Sequence, residues 1–459
     1  MTSTPLSSLT GPMFSTDAMR AVFSAEACVQ GMLDFEAALA HAEAACGVIP
    51  ASAAEPIAAR CRQEHLNLPA LGRAAASAGN LAIPLVKQLT ADVAAHDKEA
   101  AKYVHWGATS QDAIDTGLVL QLRQALDLID QDLRRLGDAL AALAQAHRDT
   151  TMIGRTWMQH ALPATFGLKA AGWLDGVQRH QERFSALRAR VLALQFGGAA
   201  GTLASLGGEG LRVAQALADR LQLALPAMPW HTQRDRIAEV AAIAGMLTGS
   251  LGKMARDVSL LMQTDVAEAS EPAAQGRGGS STMPHKRNPV ACAAALTAAA
   301  RVPGLVATVL SGMVQEHERA LGGWQAEWDS LPEILQLTAG ALAQMADTMA
   351  GLSVDAARMR ANVDITHGLV MAEAVTLALG ARMGRMEAHK LVEAACRRAV
   401  ADGLDLKDAL GREPALKDII AAGDLDRLLD PAQYLGQAAA FTDRVLARQS
   451  SHAADNKER

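Results

Sequence analysis

The chain of 459 residues is long enough for two or three domains and a large core. It is 50% hydrophobic but only 3% aromatic, so its apolar mass is Ala, Leu, Val and Met, which favours helix over sheet. The net charge of −6 leaves no basic footprint for nucleic acid, and the His and Cys residues lack zinc-type spacing. Five scattered cysteines (Cys28, Cys46, Cys61, Cys292, Cys396), odd in number and without a CxxC pair, fit reduced thiols in a cytoplasm.

Met1 to Pro12 shows neither the basic start nor the apolar run of a secretory signal. The first hundred residues read as short Ala-rich helices, broken at Gly47-Val48-Ile49-Pro50 and around Asn80 to Pro84. Leu122, Leu126, Ile129, Leu133, Leu136, Leu140 and Leu143 then alternate at spacings of four and three, an unbroken heptad seam. A helix over 113–147 carrying it would be roughly 50 Å long.

Residues 163–195 also read as helix, and Leu203 to Gly210 as a Gly-rich connection. A second seam runs through Ile237, Val240, Ala244, Leu247, Leu251, Met254, Val258 and Leu261. Helices this long call for a bundle and for partners from other subunits. Residues 290–348 read as helix with a kink at Pro303. The apolar stretch Val290 to Ala300 is stopped by Arg301 before it reaches membrane-spanning length, so no membrane contact is expected. From Ser353 the helices shorten again, punctuated by Gly403, Gly411 and Gly423. No strand-rich region stands out. The expectation is an all-α chain of three helical domains: 1–111, a long central bundle 112–350 with a loop at about 266–289, and 351–459.

Five stretches carry chemistry. Residues 276–289, Gly-Arg-Gly-Gly-Ser-Ser-Thr-Met-Pro-His-Lys-Arg-Asn-Pro, put hydroxyls (Ser280, Ser281) beside Lys286 and Asn288 on a Gly-rich loop. Such a loop suits a lid over an anionic substrate; a solvated basic loop is the bland alternative. His105-Trp106-Gly107-Ala108-Thr109-Ser110-Gln111-Asp112 precedes the first long helix. Capping accounts for Asp112, whereas Thr109 and Ser110 at a helix start suit a carboxylate. His105 is either a ligand or a satisfied structural histidine. Gly154-Arg155-Thr156-Trp157-Met158-Gln159-His160-Ala161-Leu162-Pro163 holds a Trp that is either core packing or a platform for a planar substrate. Gln233-Arg234-Asp235-Arg236 and Glu316-His317-Glu318-Arg319 add an amide and arginines, for which surface ion pairs are the bland reading.

The order of these residues resembles the fumarase/aspartase superfamily. Gly279 to Pro289 fits its signature G-S-S-x-M-P-x-K-x-N-P at every fixed position, His105 to Asp112 fits H-x-G-x-T-S-x-D, and Gly154 to Pro163 fits G-R-T-H-x-Q-x-A-x-P with one departure. Where the lyases carry an acid–base histidine this chain has Trp157, and an indole cannot carry that proton. His160, three residues on, would point elsewhere. Trp157 is instead the pattern of the superfamily's muconate-lactonising cycloisomerases. Gln30 to Leu39, Val104 to Asp115, Gly323 to Trp328 and Asp430 to Gly436 resemble that branch too.

The resemblance implies a homotetramer around a shared helical core, acting without metal or other cofactor on a small tricarboxylate, and contacting neither nucleic acid nor membrane. It implies Ser280, Lys286 and Trp157 as catalytic residues. It assigns substrate binding to His105, Thr109, Ser110, Thr156, Gln159, Gln233, Ser281, Asn288 and Arg319. The competing readings are an adenylosuccinate- or argininosuccinate-type lyase and a non-catalytic scaffold of the same fold.

Overall fold

The computed structural model describes residues 9–274, 276–416, 419 and 422–455. Helix dominates it, as composition requires, and the chain divides into two compact units. One unit holds residues 1–134, 180–252 and 293–344; the other holds 135–179, 253–292 and 345–459.

Both heptad seams are real. The first lies on helix Ser110–Ala146, 37 residues long. Leu122, Leu126, Ile129, Leu133, Leu136 and Leu140 are buried, and Leu143 is half-buried. The second lies on helix Asp235–Leu261, where all eight seam residues are buried.

In the first unit, helix Ala25–Ala45 crosses helix Ser110–Ala146 at Gly31 and Gly117. A Cβ at either position would come within 2.9 Å of the opposing backbone, so the crossing needs glycine on both sides. This contact sets Glu36 opposite the segment that leads into the long helix.

Residues 290–348 are not one helix. Val290–Ser311 ends before a loop, and Gly323–Ala350 begins after it. Gly312 and Gly323 pack backbone to backbone at the break, with Cβ clearances of 2.9 and 2.8 Å, and His317 takes a positive φ of 48°. Helix Val290–Ser311 also runs on through Arg301, which pairs with Glu333. By length and composition alone, Asp235–Leu261 and Val290–Ser311 are long and apolar enough to cross a membrane, which corrects the expectation from Arg301.

Among the described residues, the second unit holds the main departure from all-α character. Thr151–Thr156 and Gln159–Thr165 form an antiparallel hairpin, and the following helix starts only at Phe166. The sequence reads helical from 163 because this hairpin is short, with one residue in three Thr, Gly or Pro. Ala269–Ser270 also pairs with Ser353–Val354. The C-terminal helices close over Val375, Leu379, Val392, Ala395, Leu406 and Leu410. Gly403 ends helix Arg385–Asp402 with φ 63°. All five cysteines are free thiols.

Glu43, on the same helix as Glu36, is fully buried and neither carboxyl oxygen has a partner. Burial, reinforced by the Glu36 charge, raises its pKa to about 9 from 4.5. The folded chain therefore holds a proton there that the unfolded chain releases above pH 4.5. Stability from this group falls as pH rises from about 4.5 to about 9, by about 1.4 kcal/mol per pH unit, and is flat beyond. Urea titrations across that window should show the slope in the native chain and its loss in Glu43→Gln; an unchanged slope would place the proton elsewhere.

Candidate active site

The candidate residues fall into three clusters. The first, in the unit that holds the head of helix Ser110–Ala146, is organised by buried carboxylates. Asp112, fully buried, accepts from the Thr109 backbone N–H at 3.0 Å, which is the expected capping bond. It does far more than cap. Gln195 Nε2 (3.0 Å), Gly197 N (3.0 Å), Gly198 N (2.9 Å) and the His231 ring (3.2 Å) converge on the same carboxylate.

One turn on, Asp115 binds Arg234 through both oxygens (Nη1–Oδ2 2.7 Å, Nη2–Oδ1 3.1 Å) and accepts from Trp324 Nε1 at 3.0 Å. Glu327 takes the other side of the Arg234 guanidinium at 3.0 Å. Arg234 is 1% exposed, so the bland alternative of a surface ion pair does not hold for it. Arg236 does lie near the surface, donating to the Arg190 carbonyl. Gln233 is exposed.

On this base the structure brings Thr109, Ser110 and Arg319 together. Arg319 Nη1 donates to Thr109 Oγ1 at 3.0 Å, and Nη2 lies 3.5 Å from Ser110 Oγ. Residues 312–322 form a loop, so Arg319 is no helix-surface partner of Glu316, which accepts from the Leu321 N–H instead. Burial lowers the Arg319 pKa, with Asp112 and Asp115 opposing. A half-buried guanidinium beside two hydroxyls is a ready carboxylate site. His105 stands before it with φ 58°, and Gly107 follows with φ 73°, where a Cβ would strike Leu206 at 2.4 Å. His105 Nδ1 meets Glu36 Oε1 at 2.6 Å.

The hairpin is the second cluster. Arg155 faces His160 across the strands and Thr156 faces Gln159. Successive pairs point to opposite faces, so Thr156 and Gln159 share one face and His160 lies on the other. Arg155 binds Glu268 through two bonds of 2.9 and 2.6 Å, and Glu268, itself fully buried, also accepts from Asn362 at 2.8 Å. On that same face lies a cavity of about 330 Å³ bounded by Arg155, His160, Lys169 and Asp257.

The turn itself is Trp157-Met158, with φ of 52° and 64°. Two-residue turns of this hand favour Asn-Gly, because side chains resist positive φ. Trp157 is 97% exposed and Met158 72%, which rules out a buried core indole within this chain.

The loop after Gly276 is the third cluster. It has a pinned neck: Asn288 N donates to Gly278 O at 2.7 Å, Gly279 bridges to Arg287, and a Cβ on Gly278 would strike Asn288 O at 2.5 Å. Within the tip, Ser280 Oγ accepts from Met283 N at 3.1 Å. Ser281 and Lys286 are exposed, Ser280 and Asn288 half-buried. Arg287 reaches the Glu271 carbonyl at 3.0 Å, while the Glu271 carboxylate caps helix Val290–Ser311 through Ala291 N (3.2 Å) and Cys292 N (2.8 Å). Gln275, inside the loop expected at 266–289, lies outside the described residues.

Sequence reasoning missed the buried acids Glu36, Asp115, Glu268, Glu271 and Glu327. Three of them lie in the resembling stretches 30–39, 104–115 and 323–328, so a signal was present without a role attached. Glu268 and Glu271 had none.

A family model described as Lyase matches residues 13–304, and one described as Adenylosuccinate lyase C-terminus matches residues 368–445. The chain is 58% identical over 447 residues to a 3-carboxy-cis,cis-muconate cycloisomerase of Pseudomonas aeruginosa, covering 97% of each chain. It is 43% identical over 448 residues to a nitrosuccinate lyase of Streptomyces davaonensis, covering 96% of this chain and 94% of that one. The crystal structure of 3-carboxy-cis,cis-muconate lactonizing enzyme from Pseudomonas putida matches with TM-score 0.94 at 53% identity, over 97% of this chain and 99% of that one.

Strain at the hairpin tip has a measurable signature. Replacing Trp157-Met158 by Asn-Gly should raise stability by about 1–3 kcal/mol through relief of two positive-φ side chains, read as a higher Tm. A lower Tm would mean that the tip is held by contacts outweighing the strain.

Proposed function

The chain belongs to the lyase family, and we propose that it closes 3-carboxy-cis,cis-muconate to a carboxymuconolactone, a step in the breakdown of aromatic compounds through protocatechuate. The observation that carries this reading is the near-complete match to cycloisomerases, 58% identical over 97% of the chain. Trp157, where the lyases carry histidine, agrees with it. The match extends to nitrosuccinate lyase at lower identity, and elimination by an adenylosuccinate- or argininosuccinate-type route is the second reading. It would need the proton carrier that Trp157 cannot be.

Ring closure is elimination run backwards within one molecule. One carboxylate oxygen adds to a double bond conjugated with a second carboxylate; the π pair moves onto that second group; a proton then completes the C–H bond. Charge builds on a carboxylate already negative, so fixed cations and donors lower the barrier. Arg319 with Thr109 and Ser110 grips one carboxylate, while Lys286, Asn288 and Ser281 grip others from the loop, which acts as the lid. Trp157 and Met158 present an apolar wall to the diene, with Thr156 and Gln159 beside it. Gln233, exposed at the head of its helix, and His105 complete the substrate contacts. Ser280 and Lys286 are the proton donors that the superfamily motif offers. No redox change occurs.

Three helical domains at 1–111, 112–350 and 351–459, a homotetramer and a cytoplasmic location belong to the same reading. Support for assembly comes from the exposed Trp157 tip and from helix Val290–Ser311, whose apolar window is only 33% buried within the chain. Covering that face with other subunits accounts for its hydropathy without a membrane.

Purified protein mixed with 3-carboxy-cis,cis-muconate, with no metal added, should bleach the conjugated-diene absorbance and yield a lactone by NMR. A folded protein that leaves the diene intact returns the lyases to first place. Lys286→Met should lower kcat/KM by about 100-fold or more; a loss of only a few-fold would remove Lys286 from the chemistry. Trp157→His should slow lactonisation, and an equal rate would reduce the indole to packing.

A further inference from the structure

Resting on that reading, we propose that His105 is the proton source for ring closure and that Glu36 is the residue that positions it and favours its charged form. The argument begins with Glu36. Its side chain is 1% exposed on helix Ala25–Ala45, and its Oε1 lies 2.6 Å from His105 Nδ1. A buried carboxylate with one short imidazole partner is not a solvated surface pair; it calls for a cation or a donated N–H. The bond fixes Nδ1–H toward Glu36 and leaves Nε2 as the ring nitrogen that Glu36 does not engage.

Three further observations point to work rather than packing. His105 is held at φ 58°, a conformation that costs a side chain about 1–3 kcal/mol and persists where surrounding structure imposes it. It precedes by four and five residues the two hydroxyls that Arg319 engages. The ring is mostly but not wholly covered, at 17% exposed, so it is both desolvated and reachable.

Charges around the ring favour its protonated form. Burial opposes charging His105, but the charge and hydrogen bond of Glu36, from helix Ala25–Ala45, outweigh it, with Asp112 from helix Ser110–Ala146 adding to them. The net pKa is raised. Glu43, behind Glu36 on the same helix, is kept neutral by its own burial and does not compete for the imidazolium.

The step balances. The substrate's carboxylate oxygen forms the new C–O bond, and the double-bond pair moves toward the conjugated carboxylate. The Nε2–H proton of the imidazolium passes to carbon and forms the C–H bond. Neutral His105, still hydrogen-bonded to Glu36, regains its proton from water once product leaves. This supplies the acid that Trp157 cannot, without calling on the exposed Lys286.

The test is the pH dependence of kcat/KM with 3-carboxy-cis,cis-muconate. Native enzyme should lose activity as pH rises through the raised His105 pKa. Glu36→Gln should move that limb down by a unit or more, and the position of the limb rather than the absolute rate is the readout. Glu36→Asp should restore the native limb. His105→Ala should lose about 100-fold or more, and added imidazoles should rescue it at rates that follow their own pKa. That rescue also decides the matter if Glu36→Gln does not fold. A limb that stays put in Glu36→Gln, or a His105→Ala enzyme within five-fold of native, overturns the proposal and leaves the proton to Ser280 or Lys286. Should native protein not turn over the muconate at all, the functional reading fails instead. Histidine NMR titration of native and Glu36→Gln protein still reads the pair directly, and an unmoved His105 pKa refutes the pairing.

Discussion

Two carboxylates one helical turn apart, Asp112 and Asp115, hold the head of the longest helix to nearly everything around it. Both are buried, and a buried charge must be matched by donors or it destabilises the fold. Asp112 collects backbone and side-chain donors from 109, 195, 197, 198 and 231. Asp115 collects Arg234 and Trp324. Segments distant in sequence thereby meet at a single point, with Thr109 and Ser110 just above it. Removing one partner of such a set would cost about 3–5 kcal/mol and would also release the loops that carry Arg319's targets.

The same logic recurs in the other unit. Glu268 holds Arg155 and Asn362, and Glu271 holds the start of helix Val290–Ser311 while its carbonyl holds Arg287. In each case an acid with no access to solvent fixes a motif whose own conspicuous residues remain exposed or half-exposed. Strain is placed beside these anchors. His105, Trp157, Met158 and His317 all take positive φ, and all lie within or next to the motif stretches. Rigid carboxylate anchors are what allow such conformations to persist.

The helices were legible because burial imposes a period: Leu122 to Leu140 and Ile237 to Leu261 repeat at three and four because one face of each helix is dry. Resemblance located the motifs and supplied the candidate roles of their residues. What stayed hidden depends on contacts across long sequence separations. Nothing local to Arg234 says that its partners are Asp115 and Glu327, and nothing local to Arg155 points to Glu268, more than a hundred residues on. The hairpin at 151–165 was lost because its strands are short and its turn lacks the Asn-Gly signal. The break at 312–322 was lost because its glycines act by letting two backbones touch at Gly312 and Gly323, which a periodicity count does not register.

The hairpin tip has a bearing on how this chain can change over generations. An indole and a thioether held at positive φ and largely open to water carry a conformational cost in the folded chain that a turn of Asn and Gly would not. Drift under selection for stability alone runs toward that replacement. A lineage that keeps Trp157-Met158 must be renewing it against that drift, generation after generation, for something the isolated chain does not feel.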